Sequence, residues 1–347
     1  MRPYYQDDWL AILIGDCRER LAELPAESVH CVVTSPPYWG LRDYGEAEQL
    51  GLEPTPEEYV ANMVDVFRAV KRVLRNDGTL WLNIGDSYVS HDRGGRRDGE
   101  FLNPNGVQND KGRKSGPAPR NRAGNYRAGD FKPKDLVGIP WMLAFALRAD
   151  GWYLRCDIIW AKPNPMPESV TDRPTKSHEY VFLLSKSARY YYDGEAVREP
   201  AEYVGPNGAQ HSPYGQGFTR RSDKQAEMAA SGSAATGRRM GGFNNRWDAS
   251  EAAGTAPLNR NLRSVWTIAT QPYPGAHFAT FPQKLVEPCI KAGSPVGGTV
   301  LDPFAGSGTT LMVAQRLSRR AIGIDLSADY VDQALTRNAQ TPLGLGE

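Results

Sequence analysis

A chain of 347 residues, 40% hydrophobic and 23% charged, is long enough to bury a full core and too apolar to be disordered throughout. No apolar run approaches the ~20 residues of a membrane span. The start Met1-Arg2-Pro3-Tyr4-Tyr5-Gln6-Asp7-Asp8 has no signal-peptide core, and Cys17, Cys31, Cys156 and Cys289 lack disulfide or metal-ligand spacing. The expectation is a reduced, cytoplasmic protein without a membrane segment or a metal site. Net charge is +1, but it is unevenly spread. Residues 91–134 hold 11 Lys/Arg against 5 Asp/Glu, residues 201–263 hold 8 against 5, and the rest of the chain carries −8. Two basic stretches rich in Gly, Pro, Asn and Ser on an acidic body suit a polyanion such as nucleic acid. Solvated insertions with incidental arginines are the plainer alternative.

In chain order, Ala11 to Asp16 reads as a strand ending in a carboxylate, followed by a short helix with Leu21 and Leu24 inward. Val29 to Val33 is a buried strand that breaks on Pro36 and Pro37. Thr55-Pro56-Glu57-Glu58 starts a helix, with Thr as cap and Pro at the first helical position. Tyr59, Met63, Val66, Phe67, Val70, Val73 and Leu74 recur at helical spacing, and Asn76-Asp77-Gly78 is expected to stop that helix. Thr79 to Asp86 is the next strand. After the first basic insertion, 135–149 is helical, and Tyr153–Trp160 and Tyr180–Leu184 are strand-like, joined by the proline-dense 161–167. Past the second insertion, Phe281 to Ile290 is a helix, Thr299 to Asp302 a strand, and Leu311 to Leu317 a helix. Ala321 to Asp325 is a last strand, and Tyr330 to Leu335 lies in a last helix. The alternation argues an α/β fold with a mainly parallel, doubly wound sheet. Insertions of this length in a compact domain are expected to be functional.

Two motifs fall at strand ends, where open α/β sheets bind ligands. In Ser35-Pro36-Pro37-Tyr38-Trp39, a stiff turn offers a hydroxyl, fixed carbonyls and a flat aromatic face. That set suits a planar ring with an exocyclic amine. The second motif is Asp302-Pro303-Phe304-Ala305-Gly306-Ser307-Gly308-Thr309-Thr310, a strand end, a glycine turn and a helix start. A nucleotide triphosphate loop would need a lysine after Gly308, and a dinucleotide loop would need a third glycine; both are missing. The acid that a dinucleotide loop wants about 20 residues on is present as Asp325, 19 residues after Gly306. A carboxylate at Asp302 would repel a pyrophosphate but suits an ammonium group. S-adenosylmethionine carries an ammonium, a ribose diol and an adenine. Asp302 can serve its methionine end, Asp325 the ribose and Asp16 the adenine amine. Either acid alone would more simply be a strand-end cap. Cys289, in the one Pro-Cys pair, reads as core rather than as a cysteine nucleophile, and His30, His178 and His277 carry no motif.

The pair Thr34-Ser35-Pro36-Pro37-Tyr38 and Asp302 to Thr310 resembles the amino-group DNA methyltransferases, which methylate N4 of cytosine or N6 of adenine. With the catalytic motif near the N-terminus and the cofactor motif near the C-terminus, it resembles their β group, whose motif order is circularly permuted. The resemblance implies a Rossmann-like methyltransferase sheet using S-adenosylmethionine on double-stranded DNA, from a restriction–modification or phage-borne system. It implies a catalytic part at 1–194 with a basic loop at 88–134, a target-recognition insertion at 195–270, and a cofactor-binding part at 271–347. Ser35, Pro36, Pro37 and Tyr38 would be catalytic. Asp16, Asp302, Phe304, Gly306, Gly308, Thr309 and Asp325 would bind the cofactor, with Thr280, Phe281 and Lys284 in a segment near its carboxylate. Arg96, Arg97, Arg113, Arg238 and Arg239 are the candidate DNA contacts. A homodimer and a cognate restriction endonuclease are the further partners that this resemblance leaves open. In the family that the chain resembles, Ser at the position of Ser35 goes mostly with cytosine N4 and Asp mostly with adenine N6, which favours N4 here, and Trp39 is expected to narrow the pocket toward a pyrimidine. A non-catalytic nucleic-acid module on the same fold is the competing class.

Overall fold

The computed structural model describes residues 3–41, 49–89, 131–132, 134–200, 259–271 and 281–339. In chain order its elements are β1 (Tyr5–Gln6), β2 (Leu10–Ile14), α1 (Cys17–Glu23), β3 (Val29–Thr34), α2 (Pro56–Val73) and β4 (Leu74–Ile84). Then come α3 (Ile139–Ala149), β5 (Tyr153–Ala161), β6 (His178–Ser185), β7 (Glu199–Pro200), β8 (Asn259–Arg260) and β9 (Val265–Thr267). The chain closes with α4 (Gln283–Gly293), β10 (Thr299–Asp302), α5 (Thr309–Arg316), β11 (Arg320–Asp325) and α6 (Ala328–Ala339). Two compact units result, one of Met1–Val197 with Arg263–Glu347, the other Arg198–Leu262.

The first unit holds a sheet of nine described strands in the order β1-β2-β11-β10-β3-β4-β6-β5-β9. The run from β2 to β4 is parallel throughout, while β6 is antiparallel to both β4 and β5. The expected α/β class and mostly parallel sheet are therefore what the chain forms. The reason is visible in the strands. Val29, Cys31, Val32 and Val33 of β3 and Val300 and Leu301 of β10 are all buried, as a strand covered on both faces requires. Helix α2 begins as expected, with the Thr55 hydroxyl accepting from the Glu58 N–H at 3.1 Å. Its Tyr59, Met63, Val66, Phe67, Val70 and Val73 are fully buried. Among the described residues, no helix is long and apolar enough to cross a membrane.

Three expectations need correction. Helix α2 stops at Val73, and Asn76-Asp77-Gly78 belong to β4. They form an irregularity there: Val29 pairs with Leu74 but Cys31 pairs with Thr79. Gly78 fits it because a Cβ would lie 2.6 Å from Leu74 Cγ. Strand β4 also ends at Ile84, so Gly85 and Asp86 lie past it. Helix α3 starts only at Ile139 and leaves Phe145 exposed, although Ile139, Leu143 and Leu147 are buried. In the second unit, β7 and β8 pair antiparallel, and Glu199 meets Arg260 in an ion pair of 2.7 Å.

Candidate active site

The strand order decides which loops meet. Asp16 follows β2, Asp325 ends β11, Asp302 ends β10, Ser35 follows β3 and Gly85 follows β4, so all five lie at the carboxyl edge of consecutive parallel strands. Strand β6 starts at this edge, because Tyr180 pairs with Ile84, and β5 ends there, because Ala161 pairs with His178. Strands are ~4.8 Å apart, so Asp302 and Ser35 are immediate neighbours although 267 residues separate them in the chain.

A buried hydrogen-bond set joins the two motifs. Thr34 Oγ1 donates to Asp302 Oδ1 at 2.6 Å. Thr310 Oγ1 lies 2.8 Å from Asp302 Oδ2 and 3.2 Å from the Val33 carbonyl. The Phe304 N–H donates to Asp302 Oδ1 at 3.1 Å. Asp302 is 1% exposed, and burial, with the charge of Asp325 adding, pushes its pKa up to about 6 against the pull of these donors. Each carboxylate oxygen can accept two hydrogen bonds. Oδ1 is filled, and Oδ2 has taken one donor.

The glycine turn is built around Asp325, whose Oδ2 accepts the Gly306 N–H at 2.7 Å and whose Oδ1 accepts the Ser327 N–H at 2.9 Å. Gly308 caps α5 at a φ of +75°, and a Cβ there would lie 2.7 Å from Ala334 Cβ. Gly308 thus serves a left-handed turn packed on α6. Thr309 is buried and faces Arg337 of α6 at 3.2 Å. Phe304 and Gly306 are half-buried. Asp16 caps α1, accepting the Arg18 N–H at 2.7 Å, and the Arg18 guanidinium holds its carboxyl below the ordinary range. Phe281 is half-buried just before α4, and Lys284 is exposed in its first turn.

The catalytic turn is anchored from below by the Tyr59 hydroxyl, which donates to the Pro37 carbonyl at 2.9 Å. Ser35 is half-buried, and its Oγ is 3.5 Å from the Tyr38 hydroxyl, a long contact that leaves it able to accept. Tyr38 donates to Glu179 Oε2 at 2.8 Å; burial and then the Glu179 charge push its phenol well above the ordinary range, so it stays a donor. Its ring lies against Gly85, where a Cβ would be 2.6 Å from Cε2. Trp39 departs from the expectation. It is 3% exposed, packed in the core, and its indole N–H bonds the Glu53 carbonyl at 2.9 Å, so it does not narrow the pocket. Asp86 caps α3, accepting from Gly138 and Ile139 at 2.9 and 3.1 Å. Cys289 is buried with its thiol pushed well up by burial, as a core residue would be. His30 Nδ1 accepts the Thr299 N–H at 3.0 Å, and His178 stands edge-on to Tyr180. Arg96, Arg97, Arg113, Arg238, Arg239, Thr280 and His277 lie outside the described residues.

A family model described as DNA methylase matches residues 29–336, which spans both motifs and the edge that unites them. This chain belongs to the N6/N4 DNA methylase family. The DNA methylase is 46% identical over 328 residues to the Type II methyltransferase M.SmaI of Serratia marcescens, covering 94% of this chain and 89% of that relative. It is similar to a Thermus thermophilus structure described as a DNA modification methylase complexed with S-adenosyl-L-methionine. There the TM-score is 0.53 at 25% identity, over 95% of this chain and 94% of that one. In fold alone it is also similar to the PvuII DNA methyltransferase (cytosine-N4-specific), with a TM-score of 0.58 at 19% identity over 97% and 88% of the two chains. Sequence reasoning missed three residues at the methylase's catalytic turn: Asn83, Lys162 and Glu179. The strands carrying Asn83 and Glu179 were legible, but only the β4/β6 pairing brings Glu179 to a tyrosine 141 residues away.

Proposed function

We propose that this DNA methylase transfers the methyl group of S-adenosylmethionine to the exocyclic N4 of cytosine in double-stranded DNA, as the cytoplasmic modification arm of a restriction–modification system. A cognate restriction endonuclease would then read the same sequence. The observation that carries the reading is the hydrogen bond of 2.6 Å between Thr34 and Asp302, which sets the Ser35–Tyr38 turn beside the glycine turn. The cofactor supplies a methyl group on a sulfonium. The chain's part is to hold it and to present the base. The remaining acceptor position on Asp302 suits the cofactor ammonium, Asp325 its ribose, Asp16 its adenine amine, and Phe304 and Gly306 the wall between them. Gly308 and Thr309 hold the turn from behind.

A base amine is a poor nucleophile because its lone pair is delocalised into the ring. The Ser35 hydroxyl and the Pro36 carbonyl would accept its hydrogens and favour the pyramidal nitrogen of the transition state. Tyr38 would stack on a base turned out of the duplex, and alignment would supply much of the rest. The neutral Ser35 supports cytosine, whereas Trp39, buried in the core, favours neither base. For DNA, the basic stretches 91–134 and 201–263 are the proposed surface. Replacing Arg238 and Arg239 by Ala should weaken binding and flatten its salt dependence; unchanged affinity and slope would take them off the interface.

The enzyme reading is tested by incubating the purified protein with duplex DNA and methyl-labelled cofactor. Label should pass to DNA, and Ser35→Ala should slow that by about 100-fold. Cofactor and DNA binding without any transfer would favour the non-catalytic module instead.

A further inference from the structure

The Tyr38 hydroxyl is tied to a group of side chains that the proposed chemistry leaves unused. Tyr38 donates to Glu179 Oε2 at 2.8 Å, and Asn83 Nδ2 reaches the same oxygen at 3.3 Å and the Tyr180 carbonyl at 3.1 Å. Lys162 pairs with the other oxygen of Glu179, and its ammonium is held 4.2 Å over the Trp160 ring. Lys162 and Glu179 are only 17% and 16% exposed. We propose that Glu179, steadied by Lys162 and Asn83, is a positioning residue that sets the plane of the Tyr38 ring on which the target base stacks. The proposal rests on the reading of Tyr38 as the stacking face.

First, the backbone of the turn is already fixed by Pro36, Pro37 and the Tyr59 hydroxyl, and one edge of the ring is fixed by Gly85. The hydroxyl end is what remains to be set, and Glu179 sets it. Second, the three supporting groups come from β4, β5 and β6 or from their ends, adjacent strands that form a rigid frame. Third, a mostly buried ion pair adds little net stability, because desolvation offsets the attraction. Folding therefore gives weak reason for this pair, and a stacking surface that must hold one orientation gives a better one.

The test compares Tyr38→Ala, Tyr38→Phe, Glu179→Ala, Glu179→Gln and the double variant Tyr38→Phe/Glu179→Ala by steady-state methyl transfer to genomic DNA. Glu179→Ala should lower kcat by about 100-fold, the scale of a 1 Å misplacement, with KM for cofactor unchanged. Glu179→Gln keeps an acceptor and should recover most of the rate. The double variant should be no slower than Tyr38→Phe, because both changes remove the same contact. Losses that multiply in the double variant, or a Glu179→Gln variant as slow as Glu179→Ala, would overturn the positioning role even with Tyr38 as stacking face. Wild-type kcat in Tyr38→Ala would overturn the stacking reading itself, and this proposal with it.

Discussion

Replacing Asp302 by Asn should stabilise the protein at neutral pH while removing its grip on the cofactor. Burial lifts the Asp302 pKa from 3.8 to about 6. A rise of about two units corresponds to about 3 kcal/mol between the protonation states. The folded state binds this proton more tightly than the unfolded chain, so stability from the protonated carboxyl is complete below the unfolded pKa. It is lost as pH rises through about 6. Asn carries no charge and escapes that loss. Its Oδ1 can accept from Thr34 and the Phe304 N–H. Its Nδ2 can donate to Thr310 Oγ1, whose own proton then turns to the Val33 carbonyl at 3.2 Å. Urea unfolding followed by circular dichroism should show Asp302→Asn more stable by up to about 3 kcal/mol at pH 8, with the gap narrowing as pH falls through about 6 and closing only below the unfolded value of 3.8. Calorimetry at pH 8 should show cofactor affinity down by more than about tenfold, since the charge partner of its ammonium is gone. A stability gap that ignores pH would refute the burial argument. Unchanged cofactor affinity would refute the role given to the carboxylate. Asp302→Ala is a poorer probe, because it strands Thr34 and the Phe304 N–H without an acceptor.

Two further outcomes follow from close approaches. Gly85→Ala puts a methyl group 2.6 Å from Tyr38 Cε2 and should displace the ring, lowering kcat by about 100-fold with cofactor Kd unchanged; equal activity would mean that the ring orientation is unimportant. Gly308→Ala combines a φ of +75° with a contact of 2.7 Å to Ala334 Cβ. Chemical denaturation should show it less stable by about 2–4 kcal/mol, and a loss under about 1 kcal/mol would mean that the turn relaxes freely.

Much of this arrangement could be read in the sequence, and the parts that could not share a physical cause. The apolar runs of β3 and β10, the Thr55 cap and the helical spacing of α2 are local patterns, and they appear where periodicity placed them. That both motifs end strands was also legible. Their adjacency carried no local signal, because sheet order is set by pairing between distant segments. The same limit hid Glu179 and Lys162: a carboxylate at a strand start and a lysine among prolines carry no local signal. Trp39 misled for a related reason. The direction of a side chain after a proline turn has no local signal, and the Glu53 carbonyl satisfies the indole N–H and lets the ring enter the core. Asn76-Asp77-Gly78 has turn composition, yet the sheet absorbs it as an irregularity opposite Val29 to Cys31.

The chemistry assigned to Ser35 and Tyr38 is tested most directly by its product. Duplex DNA treated with the protein and S-adenosylmethionine is digested to nucleosides and separated by mass spectrometry. The expected product is N4-methyldeoxycytidine, formed about 100-fold more slowly by Ser35→Ala. N6-methyldeoxyadenosine as the one modified nucleoside would contradict the base assignment, and no methylated nucleoside at all would contradict methyl transfer by this turn.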